Sequence, residues 1–427
     1  MILAIALLLA APEAADAGVP DQQLEQELQK ALQADRTAKS AQQPAPPAAT
    51  SGAAAPLLTR GSQSLNPDIS VILDADFGWQ RRPMSYLNGD DPDLKAESGL
   101  HAVGPAVQEV EVAASAIVDP YFKGEVYLTI PNLEGIEVEE AFATSMSLPW
   151  NLQVKMGSFR SAFGRQNGQH LHVQDFTRRP LINAAFLGGD GLRGPAAQVS
   201  WLAPLPFFLT LYGEIYALHN DAAEVSAAVP TFGADGSRRP TLAAEAKVFV
   251  PFSDDWSLYS GLNFASGRSP GATLQAICAF QCPNTIVRGA GRETMLLGAD
   301  FYLKWKPPNV SGGYTSLALQ AEGMLRHFEA GDTLSDDWDG GFYAQLVAQV
   351  ARRWLIGARY DLVRAPTFEL RAQTVRYSAS LTFQASEFAR VRGYLEYEQA
   401  DFVQPQGGPA AFLQLEISIG AHGAHPF

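Results

Sequence analysis

About sixteen stretches of roughly ten residues, spread along the chain from residue 69 onward, alternate apolar with polar side chains. In the last of them, 410–420, leucine or isoleucine stands at every second position from 413 to 419, with Gln414, Glu416 and Ser418 between them. A period of two sends successive side chains to opposite faces, which is the geometry of a β-strand and not of a helix. The chain is therefore predicted to be all-β, and an even set of similar strands is typical of a closed transmembrane antiparallel barrel.

The links between these stretches alternate in length, which also favours a barrel. Tight turns such as 118–121 and 204–206 alternate with longer links such as 218–240, and the longest link is 160–193. Membrane barrels have short periplasmic turns on one side and long external loops on the other. The link 131–136 is short where this scheme expects a long one. The predicted strands are 69–77, 108–118, 121–131, 137–147, 151–159, 194–203, 207–217, 241–251, 255–266, 295–306, 314–326, 341–351, 353–363, 372–384, 388–399 and 410–420.

Composition favours a membrane barrel over a soluble β-sandwich, which also alternates. Hydrophobic residues make up 47% of the chain and charged residues only 18%, below the ~25% that is usual in soluble domains. The sequence contains no apolar run of about 18 residues that could form a membrane-spanning helix. Aromatic residues such as Trp201, Trp305 and Phe383 stand on the apolar face near strand ends, as in an interfacial girdle. The net charge of −14 argues against a general nucleic-acid binder.

The first 64 residues differ from the barrel segment, which is expected to span 65–427. Residues 1–17 have an apolar core and a small-residue cleavage motif, so they predict a signal peptide cleaved near Ala17. The alternative is an apolar N-terminal helix of a soluble protein. Residues 18–35 predict a short periplasmic helix, which is either a marginal helix in a tether or one that pairs with its copies in a trimer. Residues 36–64, rich in Ala and Pro, predict a disordered linker.

If the apolar face of the barrel meets lipid, the polar face lines the lumen, and its charges are unevenly distributed along the chain. Because sequence position maps to angle around a closed wall, we expect an acidic sector to face a basic one across a water-filled channel. The alternative is that these charges only hydrate the wall. The acidic candidates are Asp74, Asp76, Glu109 and Glu111, and the basic candidates are Lys304, Lys306, Arg359, Arg376, Arg390 and Arg392.

The link 160–193 is the candidate for the narrowest point of the channel. It is long and glycine-rich, and it carries six large apolar side chains that an external loop would not need, including Phe163 and Phe186. A loop folded into the lumen would need them. Its excess of cations predicts an anion-attracting constriction, whereas the alternative is a surface loop whose arginines pair with lipopolysaccharide phosphates or carboxylates. The candidate constriction residues are Arg160, Arg165, His170, His172, Arg178, Arg179 and Asp190.

The sequence contains one closely spaced pair of cysteines and two closely spaced pairs of histidines, which are residue types that bind metals. Cys278 and Cys282 form a C-x-x-x-C pair, which in an exported chain predicts a local disulfide that pins a loop. A zinc site is the alternative, although structural zinc needs four ligands. On a strand, the H-x-H pair at 170 and 172 would put both rings on one face, and His422 and His425 form a second pair. The sequence shows no matching set of carboxylates, so no metal site and no cofactor are predicted.

Three short motifs carry a family resemblance: NPDIS at 66–70, GSFR at 157–160 with FG at 163–164, and GAHGAHPF at 420–427. Over roughly 65–427 the chain resembles proteobacterial outer-membrane porin-like barrels, which are related to phosphate-selective porins. Some members are loosely labelled zinc-regulated TonB-dependent outer membrane receptors. The resemblance implies a general or anion-preferring 16-stranded porin, commonly a homotrimer, whose terminal Phe427 is recognised by the barrel-assembly machinery. Lysine is scarce here, unlike in the phosphate-selective members.

The function predicted from these features is passive diffusion of small hydrophilic solutes and ions across the outer membrane. Partners would be outer-membrane lipids, lipopolysaccharide and further copies of the chain. No G-x-S-x-G or H-E-x-x-H motif points to an enzyme. The alternative is a plugged or loop-binding barrel that serves as a metal or ligand uptake receptor or as an adhesin. A plugged uptake receptor needs a plug domain and about 22 strands, for which the chain has too few residues.

Overall fold

In the computed structural model of the chain, sixteen of the described strands form one closed barrel. The structure describes residues 67–80, 103–133, 135–219, 231–234, 239–270, 272–273, 286–288, 291–308, 315–329, 337–364, 373–400 and 406–420. The signal peptide at 1–17, the helix at 18–35, the linker at 36–64, Cys278 and Cys282, His422 and His425, and Phe427 lie outside these residues.

The first and last residues of the barrel strands are close to the predicted ones. The largest shift is in the second strand, which begins at Val103, because Gly104 and Pro105 are weak strand formers and hid its start. The barrel strands are β1 (Asp68–Gln80), β2 (Val103–Ile117), β3 (Phe122–Pro131), β4 (Glu137–Ser145), β5 (Leu152–Arg160), β6 (Arg193–Leu202), β7 (Phe208–Tyr216), β8 (Thr241–Pro251), β9 (Trp256–Arg268), β12 (Glu293–Trp305), β13 (Ser316–Phe328), β14 (Asp337–Ala351), β15 (Trp354–Arg364), β16 (Gln373–Ser386), β17 (Ala389–Ala400) and β18 (Gln406–Gly420).

Several smaller elements lie outside the barrel wall, including a 3₁₀ turn (Pro149–Asn151) between β4 and β5. A separate two-stranded sheet is formed by β10 (Ala272–Thr273) and β11 (Ile286–Arg288). The helix α1 (Leu181–Leu187) and a single 3₁₀ turn (Leu171–Val173) belong to the link between β5 and β6. Among the residues that the structure describes, no helix has the length and apolar character needed to cross a membrane.

Each barrel strand pairs antiparallel with its neighbours, and β1 closes the ring by pairing with β18. The closing register runs from Ser70 opposite Gly420 to Gln80 opposite Ala410. Gln414 Nε2 donates a hydrogen bond of 2.6 Å to Asp74 Oδ2 across this seam. Because the ring is closed, none of the sixteen paired strands has an open edge. The unpaired backbone N–H and C=O groups of such an edge would find no hydrogen-bond partner in lipid.

The two faces of the wall differ as the alternation predicts. Outward side chains such as Leu262, 69% exposed, and Ile419, 64% exposed, are apolar. Inward side chains on the same wall include Asp361 and Arg376, both fully buried. An apolar outer band around a polar interior is the arrangement of a membrane barrel. The prediction of a 16-stranded transmembrane antiparallel barrel is confirmed.

Candidate channel constriction

The link 161–192, here called the lumen loop, folds back inside the barrel. Its apolar side chains pack with inward residues of β8, β9 and β12 to β15 in one buried cluster. On the opposite side of the loop, Phe176 packs with Tyr394 of β17 and Phe412 of β18 in a second cluster. The loop residues of the first cluster are Phe163, Leu181, Ile182, Phe186, Leu187 and Leu192.

Two rings of the lumen loop rest on wall glycines. A Cβ atom added at Gly298 would lie 2.8 Å from the Phe163 ring, and one at Gly357 would lie 3.1 Å from the Phe176 ring. Both positions therefore leave room for an aromatic ring directly against the strand. The ring of Phe176 is also contacted by the guanidinium of Arg359, 4.8 Å from its centroid, a separation suited to a cation–π contact.

Buried wall carboxylates also bind the backbone of the lumen loop. Glu322 Oε1 accepts hydrogen bonds from the backbone N–H groups of Arg165 and Gln166, at 3.1 and 2.6 Å. Lys247 Nζ donates to the carbonyl of Gly164 at 3.0 Å and pairs with Asp300 at 2.6 Å. These charged groups hold the loop on the β8 to β13 side of the barrel, and alternation places all of them inward.

Most of the predicted cations are paired with carboxylates. Arg178 Nη1 donates to Glu396 Oε2 at 2.8 Å, while Arg160 binds Glu139. On the predicted basic sector of the wall, the pairs are Arg359–Asp361 at 2.8 Å, Arg376–Glu398 at 2.7 Å and Arg390–Glu416 at 2.5 Å. Because each of these three wall arginines has an acidic neighbour on the inner face, this part of the basic sector is largely neutralised.

The other predicted constriction and wall residues differ in their contacts and burial. Arg165 is half-buried, with its guanidinium 4.0 Å from the centroid of the Tyr302 ring. Arg392 Nη2 donates to the carbonyl of Gln174 at 3.0 Å, and the carbonyl of Arg179 accepts from Arg376 Nη1 at 3.3 Å. Asp190 pairs with Arg193 at 2.5 Å. Lys304 is half-buried at the short-turn end of β12, and Lys306, just beyond that strand, is exposed.

The four predicted acidic residues are all buried on the inner face of β1 and β2. Glu111 is the one closest to the loop: its Oε2 atom lies 3.1 Å from His170 Nδ1 and 3.3 Å from His172 Nδ1. Glu109 Oε1 lies 4.0 Å from His172 Nδ1. Asp74 and Asp76 stand on the neighbouring strand, with Asp74 directly opposite Glu109.

Two further glutamates from β4 reach the same histidine. Glu139 Oε2 lies 3.1 Å from His170 Nδ1, and Glu140 Oε1 lies 2.8 Å from His170 Nε2. Burial alone would lower the pKa of His170, but the carboxylates of Glu139 and Glu111 outweigh it and raise that pKa well above its ordinary value. The charged imidazolium is therefore stabilised when no other cation is present.

Glu140 is a site residue that alternation alone misses. A register shift between Tyr127 and Leu128 places a β-bulge in β4, so both Glu139 and Glu140 are buried instead of facing opposite sides. A bulge inserts one extra residue and re-aims the side chains beside it. The signal available in the sequence was the cluster of three glutamates within 137–140.

Solved outer-membrane proteins share this architecture. The chain is similar to the channel DcaP of Acinetobacter baumannii, with a TM-score of 0.53 and 8% identity over 83% of this chain and 97% of that one. It is similar to the anion-selective porin from Comamonas acidovorans, with a TM-score of 0.52 and 9% identity over 83% and 99% of the two chains. OmpT of Vibrio cholerae in its trimer form gives a TM-score of 0.52 and 10% identity over 83% and 99%. At these identities the likeness shows the fold alone.

The closed 16-stranded barrel therefore has the fold of these outer-membrane porins and channels. No protein-family model matches the chain. A relative from Aquifex aeolicus (strain VF5), whose printed name is "Uncharacterized protein", is 33% identical over 393 residues, which is 84% of this chain and 80% of the relative. The chain belongs to the same family as that protein. The phosphate-selective group and the zinc-regulated label stay as resemblances only.

Proposed function

We propose that the protein is a non-enzymatic outer-membrane porin that lets small hydrophilic solutes and ions diffuse passively. The observation that carries this proposal is a closed 16-stranded barrel whose third long-side link folds into the lumen. A barrel of this size encloses an aqueous channel unless something fills it. An inserted loop narrows such a channel and sets which solutes pass by width and fixed charge.

We further propose that any preference for anions comes from cations that are not already in ion pairs. Arg160, Arg178 and Arg376 face carboxylates, which cancel much of their field on a passing ion. Arg165 and Lys304 are half-buried on the short-turn side of the lumen loop, close enough to influence each other electrostatically. This basic group joins Arg165 of the predicted constriction to Lys304 and Lys306 of the predicted basic wall, and in this proposal it is the part of the lumen that attracts an anion.

The test is single-channel conductance in a planar bilayer, followed by the reversal potential in a KCl gradient. Stepwise openings support a porin, and a reversal potential of the sign given by chloride permeation supports anion preference. The double variant K304E/K306E should shift that potential toward cation selectivity. The matched control is R352E/R353E, which makes the same change in charge on an exposed turn outside the barrel wall. An unchanged potential in K304E/K306E would contradict the assignment.

A plugged barrel is the second candidate, because the lumen loop buries a large apolar cluster against six wall strands. Such packing suits a loop that is displaced only by a ligand or partner, as in an uptake receptor or adhesin. Absence of any conductance from correctly folded protein would favour this candidate over the porin. Conductance in the absence of added ligand would remove it.

We propose that the barrel assembles as a homotrimer through the β3 to β7 side of its wall. These five consecutive strands have only nine or ten residues each, whereas the other described barrel strands have eleven to fifteen. A wall that is too short for the bilayer can avoid mismatch by oligomerising. Contact with lipopolysaccharide on the other strands and insertion by the barrel-assembly machinery complete the proposed partners.

A further inference from the structure

The two histidines of the lumen loop lie among carboxylates at metal-ligand spacing. We propose that His170, Glu111 and Glu139 bind one divalent transition-metal ion, such as Zn²⁺, inside the barrel. His170 Nδ1 lies 3.1 Å from Glu111 Oε2 and 3.1 Å from Glu139 Oε2. Two ligand atoms that are each about 2.1 Å from a tetrahedral ion stand about 3.4 Å apart. The two nitrogen–oxygen distances would therefore open by only a few tenths of an ångström on metal binding, and all three ligand atoms lie within 4.8 Å of one another.

The orientation of the His170 ring is already that of a metal ligand. Its Nε2 atom lies 2.8 Å from Glu140 Oε1, while Nδ1 faces Glu111 and Glu139. A histidine that binds a metal through one nitrogen usually donates its other N–H to a carboxylate, which fixes the ring and raises its basicity. Glu140 is thus a positioning residue, and Tyr127, whose ring centroid lies 4.7 Å from that of His170, packs against the imidazole.

The second histidine, His172, lies on the other side of Glu111. Its Nδ1 atom lies 3.3 Å from Glu111 Oε2 and 4.0 Å from Glu109 Oε1. Glu111 therefore belongs to two overlapping groups of potential ligands, one with His170 and Glu139 and one with His172 and Glu109. Because imidazole and carboxylate ligands together suit zinc and neighbouring transition metals, we expect these ions to bind in preference to Mg²⁺ or Ca²⁺.

An independent observation is the unsatisfied carboxylate at the centre of the cluster. Glu111 is fully buried, and its Oε1 atom has no hydrogen-bond partner among the described residues. Four buried glutamates surround the histidines, and the permanent cation paired with them, Arg160, contacts Glu139. Buried carboxylates are normally paired or bound to metal. A divalent cation would add positive charge among these carboxylates and would give Glu111 the partner that its Oε1 atom lacks among the described residues.

The proposed ion would join two parts of the fold. Its histidine ligand, His170, belongs to the lumen loop, whereas Glu111 belongs to β2 and Glu139 to β4. Metal binding would therefore fasten the loop to the acidic side of the wall. The proposal concerns binding and does not depend on whether the barrel conducts ions.

The test uses the full chain without a polyhistidine tag, folded in detergent, stripped with a chelator and titrated with ZnCl₂ by calorimetry. We expect about one zinc per chain, with nitrogen and oxygen ligands that include imidazole in the X-ray absorption spectrum at the zinc edge. H170A and E111Q should each weaken zinc binding by at least about tenfold. The matched controls are H219A, at an exposed histidine, and H422A/H425A, both of which should bind zinc as the native chain does.

Any of these results would overturn the proposal: no zinc bound by the native chain, a zinc spectrum without imidazole, or unchanged affinity in both H170A and E111Q. Loss of binding in H422A/H425A would likewise assign the zinc to the chain end. The heat-dependent gel shift of a folded barrel verifies each variant. If H170A does not fold, the isosteric E111Q variant and the native-chain spectrum still decide the question.

Discussion

At the scale of single residues, the barrel interior is organised by arginine–carboxylate pairs. Arg376, with no exposed surface, lies between Glu396 and Glu398, and Arg326 is paired with Asp339 in the same setting. Removing two charges from water costs several kcal/mol, which a close pair with additional hydrogen bonds largely recovers. Such pairs therefore add less to stability than their number suggests, but breaking one leaves a buried charge without compensation.

The substitution R376M tests this asymmetry. It should lower the free energy of unfolding by about 3–5 kcal/mol, because two buried glutamates lose their shared cation. The matched control is R239M, which removes an exposed pair with Glu293 whose side chains are 66% and 64% exposed. An exposed pair is worth about 1 kcal/mol or less. Urea unfolding of both variants in lipid vesicles measures the difference, and equal losses would contradict the argument.

The inward position of the candidate residues could be predicted from the sequence, whereas their partners could not. Asp74 and Glu111 were placed in the lumen by alternation alone, since a regular strand leaves only two choices of face. The pairing of Arg178 with Glu396 joins residues 218 apart, and no local pattern encodes it. Glu140 was missed because a bulge breaks the alternation on which the prediction depends.

At the scale of elements, the lumen loop packs like part of a hydrophobic core, although it lies inside the barrel. Its helix α1 has no side-chain cap at either end, but the backbone N–H of Leu181 donates to Asp361 Oδ1 of β15 at 3.0 Å. A seven-residue helix is too short to be stable alone, so packing against the wall accounts for its presence. The apolar content of the segment could be interpreted from the sequence, whereas the helix within it could not.

Replacing residues 163–189 with a short Gly-Ser link tests the role of the lumen loop. The ladder hydrogen bonds of the barrel do not involve this segment, so the wall should still close. Single-channel conductance should rise several-fold, because an apolar cluster that lies inside the barrel is removed. Replacing the turn 252–255 with Gly-Ser residues is the control and should leave conductance unchanged. Equal conductance in the two variants would show that the loop does not limit flow.

At the scale of the whole molecule, the wall is taller on one side than on the other. The short side, β3 to β7, carries exposed apolar residues such as Met156, 68% exposed, and Val138, 56% exposed. The number of strands followed from counting alternating stretches, because each strand must cross the same bilayer. The packing of the lumen loop on the wall did not follow from that count, because it depends on contacts between the loop and strands far along the chain.

The substitutions M156R and L262R separate a subunit contact from a lipid contact. Both side chains face outward and are similarly exposed, at 68% and 69%. If the proposed trimer forms through the short side, M156R should dissociate it, because a new charge would be buried between subunits. L262R should leave the trimer intact. Light scattering of the detergent-solubilised proteins measures the mass, and a trimer that survives M156R would place the interface elsewhere.

The pairing of β1 with β18 has a consequence for biosynthesis. Asp74 and its hydrogen-bond partner Gln414 are 340 residues apart in the chain, so the ring cannot be completed until nearly all of the polypeptide has left the ribosome. Until then the first strand has no permanent neighbour on one side, and its exposed backbone must be shielded from other chains. We therefore expect the chain to cross the periplasm as an unfolded cargo of holding chaperones and to acquire its interior only in the last step of insertion.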